Sequence, residues 1–434
     1  MKRKITAKLL QWKKSDKRKP LLMYGARQVG KTYIINEFGR NNYQNVIYVN
    51  LEVNLAVAAD FNRDISPGHI IQCLEVFYQQ QILPEKTLIF FDEIQSCERA
   101  LTALKYFCEE APEYHVIAAG SLLGVAIKRE KYSFPVGKVD LMHMYPLDME
   151  EFLYALDQEL LITAIKDSFT NNQALPQSLH EMSMGYYKEY LIIGGMPAVI
   201  NEYIKSKQLL NAASEQALII NTYIADMAKY ATPTETTKIM AAFQSIPMQL
   251  AKDNRKFQYK VVQRGGSAAI FGASIDWLCA AGIVIKCNKI EHGMLPLSVY
   301  QDLSSFKLYL SDVGLLTFKS GMPIHNILTT ITSNNTFIGA MAENYVANQL
   351  KVNWHELYYW ASAHTAEIDF VIQEQDKIIP IEVKANEHTK SKSLSVYREI
   401  YKPEYAIRIA AKNFGFENGI KSVPLYAVFC IQPT

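Results

Sequence analysis

The sequence predicts an α/β protein: a parallel sheet covered by helices at the N-terminal end, a mostly helical stretch after it, and a separate mixed α/β domain at the C-terminal end. Three observations predict this. Apolar runs at 21–24, 45–50, 87–91 and 115–119 alternate with helical periodicity at 32–38, 70–80 and 100–110, and strands that alternate with helices build parallel sheets buried on both faces. The runs close on Gly25, Asn50, Asp92 and Gly120-Ser121, which places polar groups at the carboxyl ends of the strands, where such sheets bind ligands. The alternation then stops at Pro146, and a different pattern begins near residue 339.

The chain has 434 residues, of which 49% are apolar and 20% charged. That is a globular composition, long enough for about three cores at roughly 100–200 residues each. There is no run of about 18 apolar residues and no leader-like apolar stretch after the basic N-terminus, so a cytoplasmic protein without membrane spans is expected. Cys73, Cys97, Cys108, Cys279, Cys287 and Cys430 show no paired spacing, which reads as buried free thiols, with neither disulfides nor zinc. A net charge of +2 does not itself argue for nucleic acid. Nine Lys and Arg residues do crowd positions 2–19 against Asp16 alone, a pattern open to two readings: a solvated helix face or a polyanion-attracting segment.

Along the chain, a helix is expected at 5–14, and Pro20 leads from it into the first strand. Helical segments dominate from 146 to about 252. The order helix, short helix, apolar helix (267–281) and two strand-like runs (282–287, 306–310) suits a winged helix. A polar stretch at 329–336 reads as a linker. The last part reads as a helix at 339–351, strands at 356–361, 366–373 and 377–384, a helix at 394–400 and strands at 405–410 and 424–429. The resulting limits are 1–145, 146–237, 238–325 and 336–434.

Between the first strand and its helix lies Gly25-Ala26-Arg27-Gln28-Val29-Gly30-Lys31-Thr32, a phosphate-binding loop. Glycines let backbone N–H groups turn inward onto phosphate oxygens, and the helix dipole adds positive potential. Lys31 is expected to reach the β- and γ-phosphates of ATP and Thr32 to ligate Mg²⁺. The strand Leu88-Ile89-Phe90-Phe91 ends in Asp92-Glu93. Asp92 is expected to hold Mg²⁺ through water and Glu93 to polarise the attacking water, so the second acid favours hydrolysis over binding alone. Ser121 has two readings: a hydrogen bond to the γ-phosphate or attacking water, or a helix N-cap.

These residues, with Asp-Glu-Ile-Gln (92–95), Ala-Gly-Ser-Leu-Leu-Gly (119–124), Ser-Phe-Pro-Val-Gly-Lys-Val (133–139), Tyr-Pro-Leu-Asp-Met-Glu-Glu-Phe-Leu (145–153), Gly-Gly-Met-Pro (194–197) and Leu-Tyr-Leu-Ser-Asp-Val-Gly-Leu-Leu (308–316), make the sequence resemble prokaryotic AAA-type P-loop ATPases with a C-terminal domain of unknown function 4143. The resemblance implies a P-loop AAA-like core (1–145), a helical lid (146–237), a winged-helix segment (238–325) and a restriction-endonuclease-like domain (336–434). It also implies that Pro197 packs near the adenine; a plain turn proline is the other reading. ATPases of this kind often use an arginine finger from a neighbouring subunit. Some relatives place Gly-Arg where this chain has Gly137-Lys138, which makes Lys138 one candidate and Arg129 the other, and a homo-oligomer a consequence to test.

In the C-terminal domain, Glu367-Ile368-Asp369-Phe370-Val371-Ile372 and Ile378-Ile379-Pro380-Ile381-Glu382-Val383-Lys384 read as a hairpin. Period-two alternation puts Glu382 and Lys384 on one face, with Asp369 opposite. Such a set can bind a second Mg²⁺ or Mn²⁺ and activate a water, and it resembles the PD-(D/E)xK nuclease motif, with Glu343 matching its accessory acid. A cross-strand salt bridge accounts for the same residues. The apolar helix at 267–281 has no Lys or Arg, unlike a major-groove reader. Three functions follow: an Mg²⁺-dependent ATPase switch acting on DNA or a protein partner, an ATP-regulated metal-dependent nuclease, and a non-enzymatic nucleotide-gated binding protein.

Overall fold

A computed structural model describes residues 1–121, 135–253, 255–329, 336–362, 366–385 and 392–433. The chain divides into two compact units, one of residues 3–145 with 280–282, the other of 1–2, 146–279 and 283–434.

The N-terminal unit runs α1 (Ile5–Lys14), β1 (Leu21–Tyr24), α2 (Lys31–Asn42), β2 (Asn45–Asn50), α3 (Leu55–Arg63), α4 (Pro67–Tyr78), β3 (Thr87–Asp92), α5 (Glu98–Glu110), β4 (His115–Gly120) and β5 (Asp140–His143). The five strands form one parallel sheet in the order β2-β3-β4-β1-β5, the α/β architecture the sequence predicts. Every residue of β3 and β4 is buried, which is why these strands read as unbroken apolar runs. Phe91 of β3 lies between Phe61 of α3 and Phe107 of α5, with ring centroids 5.5 and 6.4 Å away. The chain leaves β1 towards β2 on one side and returns at β5 on the other, so the loop after β1 lies at the reversal of strand order, where open α/β sheets form ligand crevices.

Two cations of the basic N-terminal segment bond to backbone carbonyls of the fold. Arg18 donates to the carbonyls of Lys13 and Pro112 at 3.2 Å each, and Lys13 donates to that of Asn42. Lys13 thus joins the end of α1 to the end of α2, and Arg18 joins the turn after α1 to the loop before β4.

The second unit opens with helices α6 (Met149–Ala155), α7 (Glu159–Asn171), α8 (Gln177–Ile193), α9 (Pro197–Ser206), α10 (Ala212–Tyr230), α11 (Pro233–Leu250), α12 (Tyr259–Val262) and α13 (Ala268–Ala280). Next come β6 (Val284–Ile290), β7 (Gln301–Leu310), α14 (Val313–Ser320), α15 (Ile324–Thr329), α16 (Thr336–Val352), β8 (Tyr358–Ala361), β9 (Glu367–Glu374) and β10 (Lys377–Val383). The unit ends with α17 (Lys392–Tyr401), β11 (Ala406–Ala410), β12 (Gly415–Glu417) and β13 (Ile420–Pro424). Its strands form one mixed sheet, β12-β13-β11-β10-β9-β8-β6-β7. The β6–β7 hairpin continues into the C-terminal strands through parallel pairing of Asn288 with Tyr358 and Ile290 with Trp360. The sheet therefore runs across the sequence-based limit between 325 and 336.

The structure departs from two expectations. Residues Leu425–Cys430 form a 3-10 helix where a strand is expected at 424–429, because a short, fully buried apolar run carries no period to tell helix from strand. Only Cys97 and Cys287 are buried; the other four thiols are half-buried, on partly exposed helix flanks and a chain end. The expected linker falls almost wholly on 330–335, outside the described residues.

Three sequence motifs meet at one backbone crossing in this unit. Leu147 N–H donates to the Gly195 carbonyl at 2.7 Å, and the buried Asp312 carboxylate accepts from Gly195 N–H at 2.6 Å and Leu315 N–H at 2.8 Å. A Cβ at Gly195 would stand 2.0 Å from the Leu147 carbonyl oxygen, so only glycine permits the crossing. Asp148 caps α6 in a reciprocal capping box with Glu151.

Candidate nucleotide-binding site

The loop after β1 departs from ordinary backbone at three places: Gly25 (φ +148°), Gln28 (φ +66°) and Gly30 (φ +96°). Gly25 is required by its neighbour: a Cβ there would meet the Met144 carbonyl oxygen at 2.1 Å. The expected reason, room for phosphate, is thus joined by a closer one, the adjoining chain at the end of β5. Arg3 supports the loop from outside, donating to the carbonyls of Val29 at 3.1 Å and Tyr145 at 2.7 Å.

Lys31 is the first residue of α2 and is buried. Its ammonium donates to the carbonyls of Gly25 at 2.9 Å and Ala26 at 2.8 Å, so the cation is folded onto its own loop. Next to it, Thr32 Oγ1 donates to Asp92 Oδ2 at 2.8 Å, and Tyr48 OH donates to the same oxygen at 3.1 Å. Asp92 Oδ1 accepts from Glu93 N–H at 3.0 Å. The elements make this arrangement: β3 carries Asp92 at its last residue, parallel pairing sets Asn50 of β2 beside it, and α2 starts where β1 ends. A hydroxyl and a carboxylate this close are hard oxygen donors of the kind Mg²⁺ takes alongside phosphate and water; Thr32 and Asp92 fit such an ion.

Glu93 follows in left-handed backbone (φ +51°), which turns its side chain out of the strand's alternation. Its carboxylate accepts from Gln95 Nε2. Burial raises the Glu93 pKa above the usual carboxylate range; Gln95 opposes this, the Asp92 charge adds to it, and Lys31 and Arg27 pull it down. The Gln95 amide is wedged against β4: a Cβ on Gly120 would lie 2.3 Å from Oε1, and that buried oxygen has no hydrogen-bond partner among the described residues. The sequence carries Gln95 only within the Asp-Glu-Ile-Gln motif, Arg3 only within the basic segment, and no mark of Tyr48. The Asp-Glu-x-Gln spacing is the one signal that could have marked Gln95. β4 lies between β1 and β3 and ends at Gly120, with Ser121 buried just beyond.

Lys138 Nζ pairs with Glu109 Oε1 at 2.9 Å, with both side chains partly exposed, and Arg129 lies outside the described residues. Pro197 belongs to the second unit, where it is the first residue of α9 after the turn held by Asp312.

A family model for an AAA domain matches residues 17–153, and one for domain of unknown function 4143 matches residues 338–428. The chain carries an AAA domain and a DUF4143 domain. Between them, domain of unknown function 8612 matches residues 184–324. The AAA domain supports ATP binding by this chain. Among solved structures, the chain is similar to the Walker-type ATPase of Pyrococcus abyssi (13% identity, TM-score 0.44, 72% of this chain and 94% of that one). It is also similar to the Aeropyrum pernix ORC2 protein (11%, 0.35, 74% and 88%) and to AMPPCP-bound DnaA from Aquifex aeolicus (13%, 0.30, 63% and 88%). No curated protein sequence matches the chain. No helix among the described residues is long and apolar enough to cross a membrane.

In the DUF4143 domain the register of β9 with β10 ends on Ile381 opposite Phe370, and Glu382 and Asp369 are the residues next beyond that pair. Lys384 Nζ lies 3.2 Å from Glu382 Oε1, and Asp369 Oδ2 accepts from Val383 N–H at 2.8 Å. Glu343 is engaged elsewhere. It is fully buried on α16 and bonded to Lys307 Nζ at 2.9 Å, to Tyr309 OH and to Arg255, while Lys307 also pairs with Glu367 at 2.6 Å. Glu343, Asp369 and Glu382 do not bring three ligand atoms within 4.8 Å of one another. The buried acid is neutralised by protein cations, so this cluster is charge-balanced without a metal.

Proposed function

We propose that the protein is an Mg²⁺-dependent ATPase whose nucleotide cycle drives a conformational switch governing the DUF4143 domain. The observation that supports it most is the junction of Thr32, Asp92 and Glu93 beside Lys31 at the ends of adjoining elements of the AAA domain. ATP entering the loop draws the Lys31 ammonium from the Gly25 and Ala26 carbonyls to the β- and γ-phosphates. Thr32, and Asp92 through water, would hold Mg²⁺, which would supply neutralisation of phosphate charge. Glu93, released from Gln95, takes the proton of the attacking water as its oxygen bonds to the γ-phosphorus and the bond to the departing ADP breaks, and Ser121 faces the γ-phosphate end. A cationic finger, Lys138 or Arg129, comes from a neighbouring copy. DUF4143 acts as a binding platform for DNA or a protein partner, which the charge-balanced Glu343 cluster favours.

The test is ATP turnover by the purified chain with Mg²⁺, with EDTA, and in Lys31→Ala. Turnover that stops with EDTA, returns on adding Mg²⁺ and is lost together with ATP binding in Lys31→Ala supports the reading; metal-independent turnover overturns it. A second reading, a metal-dependent nuclease at Asp369, Glu382 and Lys384, draws on their proximity. DNA cutting with Mn²⁺ that Lys384→Ala abolishes while ATPase activity persists would establish it.

A further inference from the structure

Asp60 on α3 and His69 and Cys73 on α4 bring one ligand atom each within 4.8 Å of one another, all half-buried, and this is the one such group among the described residues. We propose that they form a site for a Zn²⁺-class divalent cation that ties α3 to α4 within the AAA domain. His69 and Cys73 are four residues apart on one helix, so both side chains stand on the same face. His69 Nε2 lies 3.5 Å from Cys73 Sγ. With Zn–N at about 2.0–2.1 Å and Zn–S at about 2.3 Å, a tetrahedral centre sets these two atoms about 3.6 Å apart. Two of the three protein corners therefore already have the spacing a metal requires. The Asp60 oxygen needs to close by little more than about 1 Å, a side-chain rotation.

The third ligand comes from a well-fixed helix. α3 buries Val57 and Phe61 in the core that α4 enters with Ile70 and Leu74, and Arg99 Nε donates to the Phe61 carbonyl at 2.7 Å at the helix end. Asp64, close enough to feel the His69 charge, is itself held by Ser66 N–H at 2.8 Å and Ser66 Oγ at 2.9 Å. Among the described residues, Arg63 is the one cation that pairs with Asp60, at 3.8 Å and largely in solvent, a contact too weak to hold the carboxylate away. A nitrogen, a thiolate and a carboxylate suit Zn²⁺ or Co²⁺ and disfavour Mg²⁺. The fourth position is left to water. On binding, Cys73 enters as the thiolate and its proton goes to solvent.

The experiment is titration of the metal-free full chain with Co²⁺, read by thiolate-to-cobalt charge-transfer absorption and tetrahedral d–d bands, followed by displacement with Zn²⁺. One Co²⁺ per chain with both signals, lost in Cys73→Ser and retained in Cys108→Ser, is expected. His69→Gln and Asp60→Asn should weaken Zn²⁺ binding more than about a hundredfold, since even outer-shell partners cost about 10–100-fold. Unchanged ATP binding in each variant shows that the fold is intact and separates this outcome from failure of the ATPase reading. Absence of the charge-transfer signal, or its survival in Cys73→Ser, overturns the proposal and leaves a thiol–imidazole contact.

Discussion

At the scale of single residues, Glu93 is governed by its neighbours more than by its own chemistry. Burial pushes its pKa up while the Gln95 amide holds it down, and a general base works only as the carboxylate. Turnover should therefore fall as pH drops through this raised pKa. Gln95→Ala removes the donor that favours the ionised form, so the acid limb of the pH–rate profile should move to higher pH, as rapid ATPase assays would show; an unmoved limb would separate Gln95 from Glu93. Gly120→Ala should shift the limb the same way, because its Cβ needs the space of Gln95 Oε1. The loop, Lys31, Thr32 and the Asp92-Glu93 pair were legible in the sequence because each sits on a short motif between readable elements. Tyr48, Gln95 and Arg3 were not, since their roles depend on strand adjacency and on a backbone carbonyl 26 residues away in the chain.

Among the elements, the crossing of Leu147, Gly195 and Asp312 shows what the motifs of the second unit hold together. Burial pushes the Asp312 pKa up to about 6 against hydrogen bonds from Gly195, Leu315 and Gly314. An unfolded aspartate titrates near about 3.9, so between roughly pH 4 and 6 the folded state keeps a proton that the unfolded state has released. Stability owed to this group thus falls as pH rises through that window. Denaturant unfolding of wild type and Asp312→Asn should show the wild type losing stability relative to the variant from pH 4 to 6; parallel curves would refute this. Gly195→Ala should destabilise by about 1–3 kcal/mol or more, the range of forced overpacking, since the obstacle is backbone.

The same scale shows which elements announce themselves. β3 and β4 are buried throughout and were read to within a residue or so. α3 buries only Val57 and Phe61, too sparse a stripe to register, and β5 buries only Met142, as an edge strand does. Leu425–Cys430 was misread because complete burial erases periodicity.

For the whole molecule, the buried cluster of Glu343, Lys307, Tyr309, Arg255 and Glu367 joins β7, α16 and β9 across the mixed sheet. Lys307→Met leaves Glu343 short of a cation in a fully buried place, so it should cost about 3–5 kcal/mol by chemical denaturation. A loss of only a few tenths would mean that the remaining partners suffice. Supply of the finger is decided by dilution: specific activity that rises with protein concentration marks a neighbouring copy, and constant activity marks the chain's own residues. The central claim, that Glu93 makes this AAA domain a hydrolase and not merely an ATP-gated binder, is tested most directly by equilibrium ATP binding and steady-state turnover of Glu93→Gln beside wild type. The account predicts ATP binding at least as tight as wild type with turnover lower by about tenfold or more, the effect of losing a base or water-positioning group. Equal turnover in the two proteins would contradict it.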